Sequence, residues 1–197
     1  MTARDRILDG AAEVLRESGF VGATTKEIAR AAGLSEAMIY KVFADKTELF
    51  LGVLKERSPG VGVVMNLDAR TGKDLRVTLR AIATDLLVFY LATFPMAASL
   101  FGDPDLLVRH RAALRVRGAG PELVVAAVTR WIEAERRAGR IAPVVPAATV
   151  ADLLVGACFH RAFLVRFAGA PPNTAADRRF AADTARAAEA LLAPTGR

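Results

Sequence analysis

Apolar side chains recur at helical spacing along most of the chain, and capping residues divide this pattern into separate helices. The first 50 residues predict four short helices rather than one or two long ones. Capping-box patterns start at Thr24 and Asp45, and Gly33 ends the second helix. Ser35 is the N-cap of the third helix. The predicted helices cover, in order, residues 4–18, 25–32, 36–43 and 46 onward.

The rest of the chain predicts longer helices. Residues 58–72, which contain four glycines, predict a linker or a bent helix. Phe94-Pro95 and Gly102–Pro104 predict breaks on either side of a short apolar turn, because proline disrupts a helix interior. Nothing in the pattern alternates as a strand does. The longer helices are predicted over residues 73–93, 105–116, 122–138, 147–167 and 176–192.

Composition places the chain among soluble, core-forming proteins. Of its 197 residues 53% are apolar and 24% are charged. We expect no intrachain disulfide, because Cys158 is the single cysteine. The start of the chain lacks the apolar core of a signal peptide, and apolar runs such as 86–96 are interrupted before they could span a membrane. These features predict a cytoplasmic protein with no membrane partner.

Net charge says little about the N-terminal region. The chain carries a formal charge of +6, but its first 57 residues have nine basic and nine acidic side chains. If this region binds nucleic acid, individual placed side chains must therefore do so, not an overall basic surface.

The short helices on either side of Gly33 have the organisation of a helix-turn-helix. A turn this short makes the two helices cross steeply, and neither is long enough to be stable alone. Such a unit depends on a small core shared with neighbouring helices. It occurs where one helix must protrude into the major groove of DNA.

Residues 6–49, RILDGAAEVLRESGFVGATTKEIARAAGLSEAMIYKVFADKTEL, closely resemble the N-terminal domain of the TetR family of transcriptional regulators. The resemblance implies an all-α fold with an N-terminal three-helix helix-turn-helix domain. A fourth helix would join this domain to a larger C-terminal helical domain for effector binding and dimerisation. The expected domains are residues 1–50, with the helix-turn-helix at 24–43, and residues 51–197.

The resemblance also implies which residues contact DNA. The third helix would enter the groove, and basic residues and helix starts would contact phosphates. Lys41 and Val42 depart from the His-Tyr pair that is common in the family, and the groove-facing set lacks Arg, Asn and Gln, so no operator sequence is predicted. The expected DNA-binding residues are Thr25, Lys26, Ser35, Glu36, Ala37, Met38, Tyr40, Lys41 and Lys46.

One such domain reads one half-site, so the resemblance implies a homodimer on a palindromic double-stranded operator. The last two helices, 147–167 and 176–192, are the expected interface. The first of them is too apolar for a surface that faces only solvent, and its small residues allow close helix approach. Burial inside one protomer is the alternative explanation of this apolar character.

The family also implies a small-molecule effector pocket in the C-terminal domain. Aromatic and apolar side chains there favour a largely apolar effector, and packing within the core is the alternative for each of them. The expected pocket residues are Phe89, Phe94, Met96, Phe101, His110, Trp131, Phe159 and Phe163.

We therefore expect a ligand-responsive regulator, a repressor released from its operator by the effector. The alternatives are a DNA-binding regulator without a small-molecule ligand and an enzyme with an attached helix-turn-helix. The enzyme is disfavoured because the sequence lacks a phosphate loop, a nucleophile elbow and an HExxH motif. Cys158 and His160 point to different sides of one helix, so we expect no metal site and no cofactor.

Overall fold

The computed structural model describes residues 1–57, 67–142, 144–169 and 174–192. Within these ranges the chain forms nine α-helices, a short 3-10 helix at Leu67–Arg70 and no strand, as the all-α prediction required. Part of the predicted 58–72 linker, residues 58–66, lies outside the described residues. The helices are α1 Ala3–Gly22, α2 Thr25–Ala32, α3 Glu36–Val42, α4 Lys46–Arg57, α5 Leu75–Phe101, α6 Pro104–Val116, α7 Glu122–Arg137, α8 Ala147–Phe167 and α9 Thr174–Leu192.

The described chain divides into two compact units. The N-terminal unit contains residues 1–57 together with Ala92–Gly120, and the C-terminal unit contains residues 67–91 with the described residues from Pro121 onward. This division differs from the single boundary expected at residue 50. The end of α5 and all of α6 group with the first four helices, since Leu100 is buried in their core and Leu107 packs against it.

The N-terminal unit has one apolar core. Every one of its first four helices contributes buried side chains, and α1 is interrupted at Gly19, whose φ of 67° lies in the left-handed region. This interruption turns Phe20 into the core, where it is 1% exposed. The core residues are Ile7, Leu8, Ala11, Val14, Leu15, Phe20, Ala23, Ile28, Ala29, Ala32, Ile39, Phe43, Leu49, Phe50, Val53 and Leu100.

The C-terminal unit is built around α7 and α8, with α9 packed on α8. Trp131 of α7 and Cys158 of α8 are fully buried among leucine, isoleucine, valine and alanine side chains. The carboxylate of Glu135 accepts hydrogen bonds from Gly72 N at 2.9 Å and from Arg140. This buried acid therefore ties the segment before α5 to the end of α7.

The predicted helix break at Phe94-Pro95 is wrong, because α5 continues through Pro95 for 27 residues. Proline has no N–H, so the carbonyl of Leu91 loses its usual partner four residues later. Arg166 of α8 replaces that partner: its Nε donates to Leu91 O at 2.8 Å, and Nη2 donates to the same oxygen. The helix survives because a distant side chain satisfies the carbonyl that proline leaves free.

Because α5 continues through Pro95, it is longer than the helix that the sequence predicted over residues 73–93. Two segments, Leu75–Pro95 and Ala147–Phe167, are each long and apolar enough to cross a membrane when judged by length and composition alone. The buried share is 44% for the first and 39% for the second, and both helices contribute side chains to the apolar core.

Candidate nucleic-acid interface

The helix-turn-helix is held against α1 by a close backbone contact and by an arginine. A Cβ atom placed on Gly10 of α1 would lie 2.8 Å from Ala32 N, so only glycine allows this approach of α1 to α2. Arg6 donates from Nε to Ala32 O at 3.1 Å and from Nη2 to Gly33 O at 2.8 Å. Arg6 thus caps the end of α2 and fixes the turn, a role that the sequence reading missed.

The turn itself has the geometry that its glycine predicts. Gly33 has φ 63° and ψ 38°, in the left-handed region, and it ends α2. Its N–H donates to Arg30 O at 3.1 Å, and Leu34 N donates to Ala29 O at 2.9 Å. These two bonds satisfy carbonyls at the end of α2 and start the chain toward α3 in a fixed direction.

The start of α2 forms the predicted capping box. Thr24 Oγ1 accepts from Glu27 N at 3.1 Å, and the Glu27 carboxylate accepts from Thr24 N at 3.1 Å. The bonds from the Thr24 backbone and hydroxyl lower the pKa of Glu27. Glu27 is therefore committed to holding the helix start.

The third helix presents one buried side and one exposed side. Ile39 is 2% exposed and fixes α3 to the core, while Met38 and Val42 pack partly against it. Tyr40 is 57% exposed although it is a large side chain. Of the other predicted DNA-binding residues in this segment, Ser35, Glu36, Ala37 and Lys41 are exposed as well. Ser35 occupies the N-cap position without a hydrogen bond from its side chain.

A shallow groove runs between α2 and α3. Thr25 Oγ1 at the start of α2 donates a hydrogen bond to Glu36 Oε1 at the start of α3. Lys26 and Arg30, both exposed, lie on the α2 side of this groove. Arg30 was not among the predicted DNA-binding residues, although its spacing of four from Lys26 places it on the same helix face. The groove is lined by Lys26, Glu27, Ala29, Arg30, Leu34 and Glu36.

Lys46 differs in its placement from the other predicted phosphate contacts. Its Nζ donates to the carbonyl of Phe20 and lies 4.7 Å from the centre of the Phe20 ring. Burial lowers the pKa of Lys46, and the charge of Glu27 opposes that shift. In this structure the ammonium group therefore serves the contact between the end of α1 and the start of α4.

The comparison with known families agrees with this geometry. The family model described as "Bacterial regulatory proteins, tetR family" matches residues 7–53, the segment that forms α1 to α4. Residues 7–53 therefore carry the N-terminal domain of this family. Curated relatives match longer stretches of the chain.

The curated relatives are named as HTH-type transcriptional regulators. The chain is 39% identical over 82 residues to the HTH-type regulator YvkB of Bacillus subtilis, covering 42% of each chain. It is 29% identical over 116 residues to the activator FasR of Mycolicibacterium smegmatis, covering 59% of this chain and 52% of that one. The repressor Rv1474c of Mycobacterium tuberculosis is 31% identical over 103 residues, with 52% and 53% covered. The chain spans about half the length of these curated relatives.

Solved TetR-type structures share the whole fold. A putative TetR-family regulator from Mesorhizobium loti has a TM-score of 0.75 at 19% identity, with 98% of this chain and 97% of that chain covered. The regulator FadR of Bacillus subtilis, solved with stearoyl-CoA, has a TM-score of 0.64 at 14% identity, with 98% and 99% covered. At these identities the likeness shows the fold alone.

The residues predicted for an effector pocket are distributed over both units of the chain. Phe94, Phe101 and His110 belong to the N-terminal unit, and Phe101 is 70% exposed. Met96 belongs to α5, but its side chain lies outside the described residues. The other four, Phe89, Trp131, Phe159 and Phe163, belong to the C-terminal unit.

His110 belongs to an aromatic cluster in the N-terminal unit. Its ring centre lies 5.2 Å from that of Phe20 and 5.5 Å from that of Phe50, both edge-on. The side chain is 5% exposed, and Nδ1 has no hydrogen-bond partner among the described residues. Nearby, Arg117 pairs with Asp45 at 2.8 Å. His110 of α6 and Arg117, which directly follows α6, thus connect this helix to the end of α1 and to the start of α4.

In the C-terminal unit the aromatic residues occupy two different environments. Trp131 is 1% exposed inside the core, whereas Phe159 is 45% exposed and packs edge-on against Tyr90 at 5.4 Å. Phe163 packs against Phe167 at 5.6 Å. Among the eight residues predicted for the effector pocket, Phe159 lines a cleft on the C-terminal unit. The cleft is lined by Tyr90, Pro121, Glu122, Val125, Ala126, Asp152, Val155, Gly156 and Phe159.

Cys158 has the environment of a structural thiol. It is fully buried, its Sγ lies 3.5 Å from Ala83 O, and burial raises the pKa of the thiol to about 12. No group of three or more His, Cys, Asp or Glu side chains with metal-binding geometry is found in the described part of the chain.

Proposed function

We propose that the chain is a DNA-binding transcriptional regulator of cytoplasmic location, and not an enzyme, which binds a palindromic operator as a homodimer. The exposed side of α3, with Tyr40 and Lys41 outward and Ile39 buried, supports this proposal most directly. A large, half-exposed aromatic side chain beside a lysine suits a helix that enters the major groove. The named relatives, which are transcriptional regulators, also support it.

Phosphate binding is assigned to a small set of cations. Lys26, Arg30 and Lys41 are exposed on the helix-turn-helix, and each is a candidate for one phosphate contact. Tyr40 can add a contact through its hydroxyl. Lys46 is omitted from this set because its ammonium group is bound to the Phe20 carbonyl.

We expect Lys26→Ala combined with Lys41→Ala to weaken binding to the operator by about 10-fold or more at moderate salt. The plot of log affinity against log salt should become shallower by about four units, because the homodimer loses two phosphate contacts in each protomer and so releases fewer counterions. Fluorescence anisotropy with an operator duplex, recovered by selection from random DNA, measures both quantities.

The matched control is Lys73→Ala, which removes an exposed lysine from the C-terminal unit. It should leave both affinity and salt slope unchanged. Equal effects of the control and of the double variant would refute the interface, since they would show that only net charge matters.

We assign the dimer contact to the last two helices, α8 and α9. An apolar stripe lies exposed on α8: Leu153 is 56%, Leu164 is 44% and Phe167 is 81% exposed. Gly156 lies on this side with no atom within 4 Å of the position of a Cβ, so another helix can approach closely there. An exposed apolar stripe of this kind is typical of an interface.

Phe167→Asp is expected to raise the dimer dissociation constant by about 10-fold or more, because it places a charge in a desolvated contact. The side chain is too exposed in the single chain for this change to affect folding. Val116→Asp is the control, since Val116 is 86% exposed but lies on α6. Sedimentation equilibrium distinguishes the two, and a dimer that both variants weaken equally would contradict this interface.

The regulator is proposed to act as a repressor that a small, largely apolar effector releases. Relatives named as repressors support the first part, and FadR of Bacillus subtilis, which has a similar fold and was solved with stearoyl-CoA, supports the second. A regulator without a small-molecule ligand is the second candidate, favoured by the burial of Trp131 in a filled core. Titrating operator complexes with stearoyl-CoA and with a panel of apolar compounds discriminates between the two.

A further inference from the structure

We infer that Glu36 specifies a cytosine in each half-site and that Thr25 is the residue that positions its carboxylate. This inference rests on the proposed DNA-binding function and adds to it the identity of one operator base. Glutamate usually weakens DNA binding, because the phosphates repel its carboxylate.

The geometry places Glu36 where bases are read. It is the first residue of α3, and the N-terminal residues of a recognition helix are those that reach base edges. The side chain is exposed, so burial in the core does not account for it. It lies at the opening of the groove between α2 and α3, beside Lys26 and Arg30.

The carboxylate is held in one orientation. Oε1 accepts the hydroxyl proton of Thr25, which comes from the first residue of the neighbouring helix. No ion pair of Glu36 with Lys26 or Arg30 is found among the described side chains. Oε2 therefore retains its capacity to accept a hydrogen bond, and the bond to Thr25 reduces the side-chain entropy lost on binding.

The hydrogen-bonding groups on the edges of the four bases determine which base can donate to Oε2 of Glu36. In the major groove cytosine offers the N4 amino group as a donor without an adjacent acceptor. Adenine also offers an amino group, but its N7 acceptor would face the carboxylate. Guanine N7 and O6 and thymine O4 are acceptors and repel it. A positioned carboxylate with no donor of its own therefore favours cytosine over the other three bases.

The same chemistry gives Thr25 a role different from a phosphate contact. A hydroxyl that binds a phosphate would add affinity for every sequence alike. A hydroxyl that donates to Glu36 adds discrimination at one base pair. Thr25→Val keeps the shape of the side chain and removes only the donor, so it separates these two roles.

The test is a selection from random double-stranded DNA with the full-length protein, followed by affinity measurements on single-base operator variants. Wild type is expected to select a palindrome with one cytosine per half-site that Glu36 controls. Glu36→Gln should change that base to adenine, because glutamine donates to N7 and accepts from N6, with discrimination of about 10-fold. Thr25→Val should keep cytosine and reduce the discrimination several-fold while affinity for other sequences is retained.

Glu17→Gln is the matched control, an exposed acid on α1 with the same charge change. It should select the wild-type palindrome. If Glu36→Gln also selects the wild-type palindrome, the cytosine assignment is wrong while the regulator proposal stands. If Thr25→Val weakens all sequences equally, the positioning role is wrong. If wild type selects no palindrome, the proposed function itself fails.

Discussion

Replacing Gly10 with valine is expected to lower the free energy of unfolding of the N-terminal unit by about 3 kcal/mol, with Gly10→Ala intermediate. The first added carbon would meet Ala32 N at 2.8 Å and the Ala31 carbonyl carbon at 3.1 Å. Both are backbone atoms of α2, so no rotamer change relieves the contact and the helices must separate. Urea unfolding followed by circular dichroism measures the loss.

The same change should weaken operator binding beyond the loss of stability. Separating α1 from α2 moves Ala32 and Gly33 away from Arg6, which donates to both carbonyls. The turn that orients α3 is then no longer fixed. Binding measured well below the unfolding temperature should be reduced, because folded protein would present α3 in a range of orientations.

Glu13→Val is the control for the intrinsic cost of valine in a helix. Glu13 lies on the exposed side of α1, so its replacement carries the propensity cost of about 0.5 kcal/mol without the clash. Equal destabilisation by Gly10→Val and Glu13→Val would show that the α1–α2 contact tolerates a side chain. That result would contradict the steric argument.

Features set by neighbours in sequence were predictable. The Thr24 capping box, the left-handed Gly33 and the burial of Ile39 each depend on residues within one or two turns. Even here the detail varied: Asp45 caps α4 as expected, but the Glu48 carboxylate accepts from Ala44 N rather than from Asp45 N. Neighbouring residues determine where a helix begins. The individual capping hydrogen bonds also depend on the conformation of the residues before the helix.

Features set by distant residues were not predictable from the pattern. Pro95 signals a break, and only the arrival of Arg166 at the Leu91 carbonyl keeps α5 continuous. The sequence position of Lys46 predicts a phosphate contact. Only the structure shows that its ammonium group donates to the carbonyl of Phe20. In both cases the hydrogen-bond partner lies more than 20 residues away in the sequence. The local pattern of apolar and polar residues therefore cannot reveal it.

The candidate site divides in the same way. The exposure of Tyr40 and Lys41 follows from helical periodicity once Ile39 is assigned to the core. The bond between Thr25 and Glu36 joins two helices across the turn and required the structure. The residues expected in one pocket lie in different environments, which composition cannot distinguish: Trp131 in the core, His110 in the cluster with Phe20 and Phe50, and Phe159 on a cleft.

His110 is expected to make the N-terminal unit less stable as the pH falls from 7.5 to 5.5. Burial lowers its pKa, and the charge of Asp45 opposes that shift. The imidazole is neutral in both states only well above pH 6.5, the ordinary pKa of histidine. Below that value the unfolded chain binds a proton that the folded chain excludes, so stability falls, by at most about 1.4 kcal/mol per pH unit for one proton. Urea unfolding at several pH values measures the slope.

Two substitutions separate the proton from the packing. His110→Phe should keep the ring contacts with Phe20 and Phe50, remove the unpartnered Nδ1 and abolish this part of the slope, with a gain of about 1 kcal/mol. His110→Ala should lose about 3 kcal/mol, because it leaves a cavity beside both rings. A His110→Phe variant with the full wild-type slope would show that another group titrates. Asp5, whose pKa its Thr2 hydrogen bonds and Arg57 lower to about 2, lies outside this pH window.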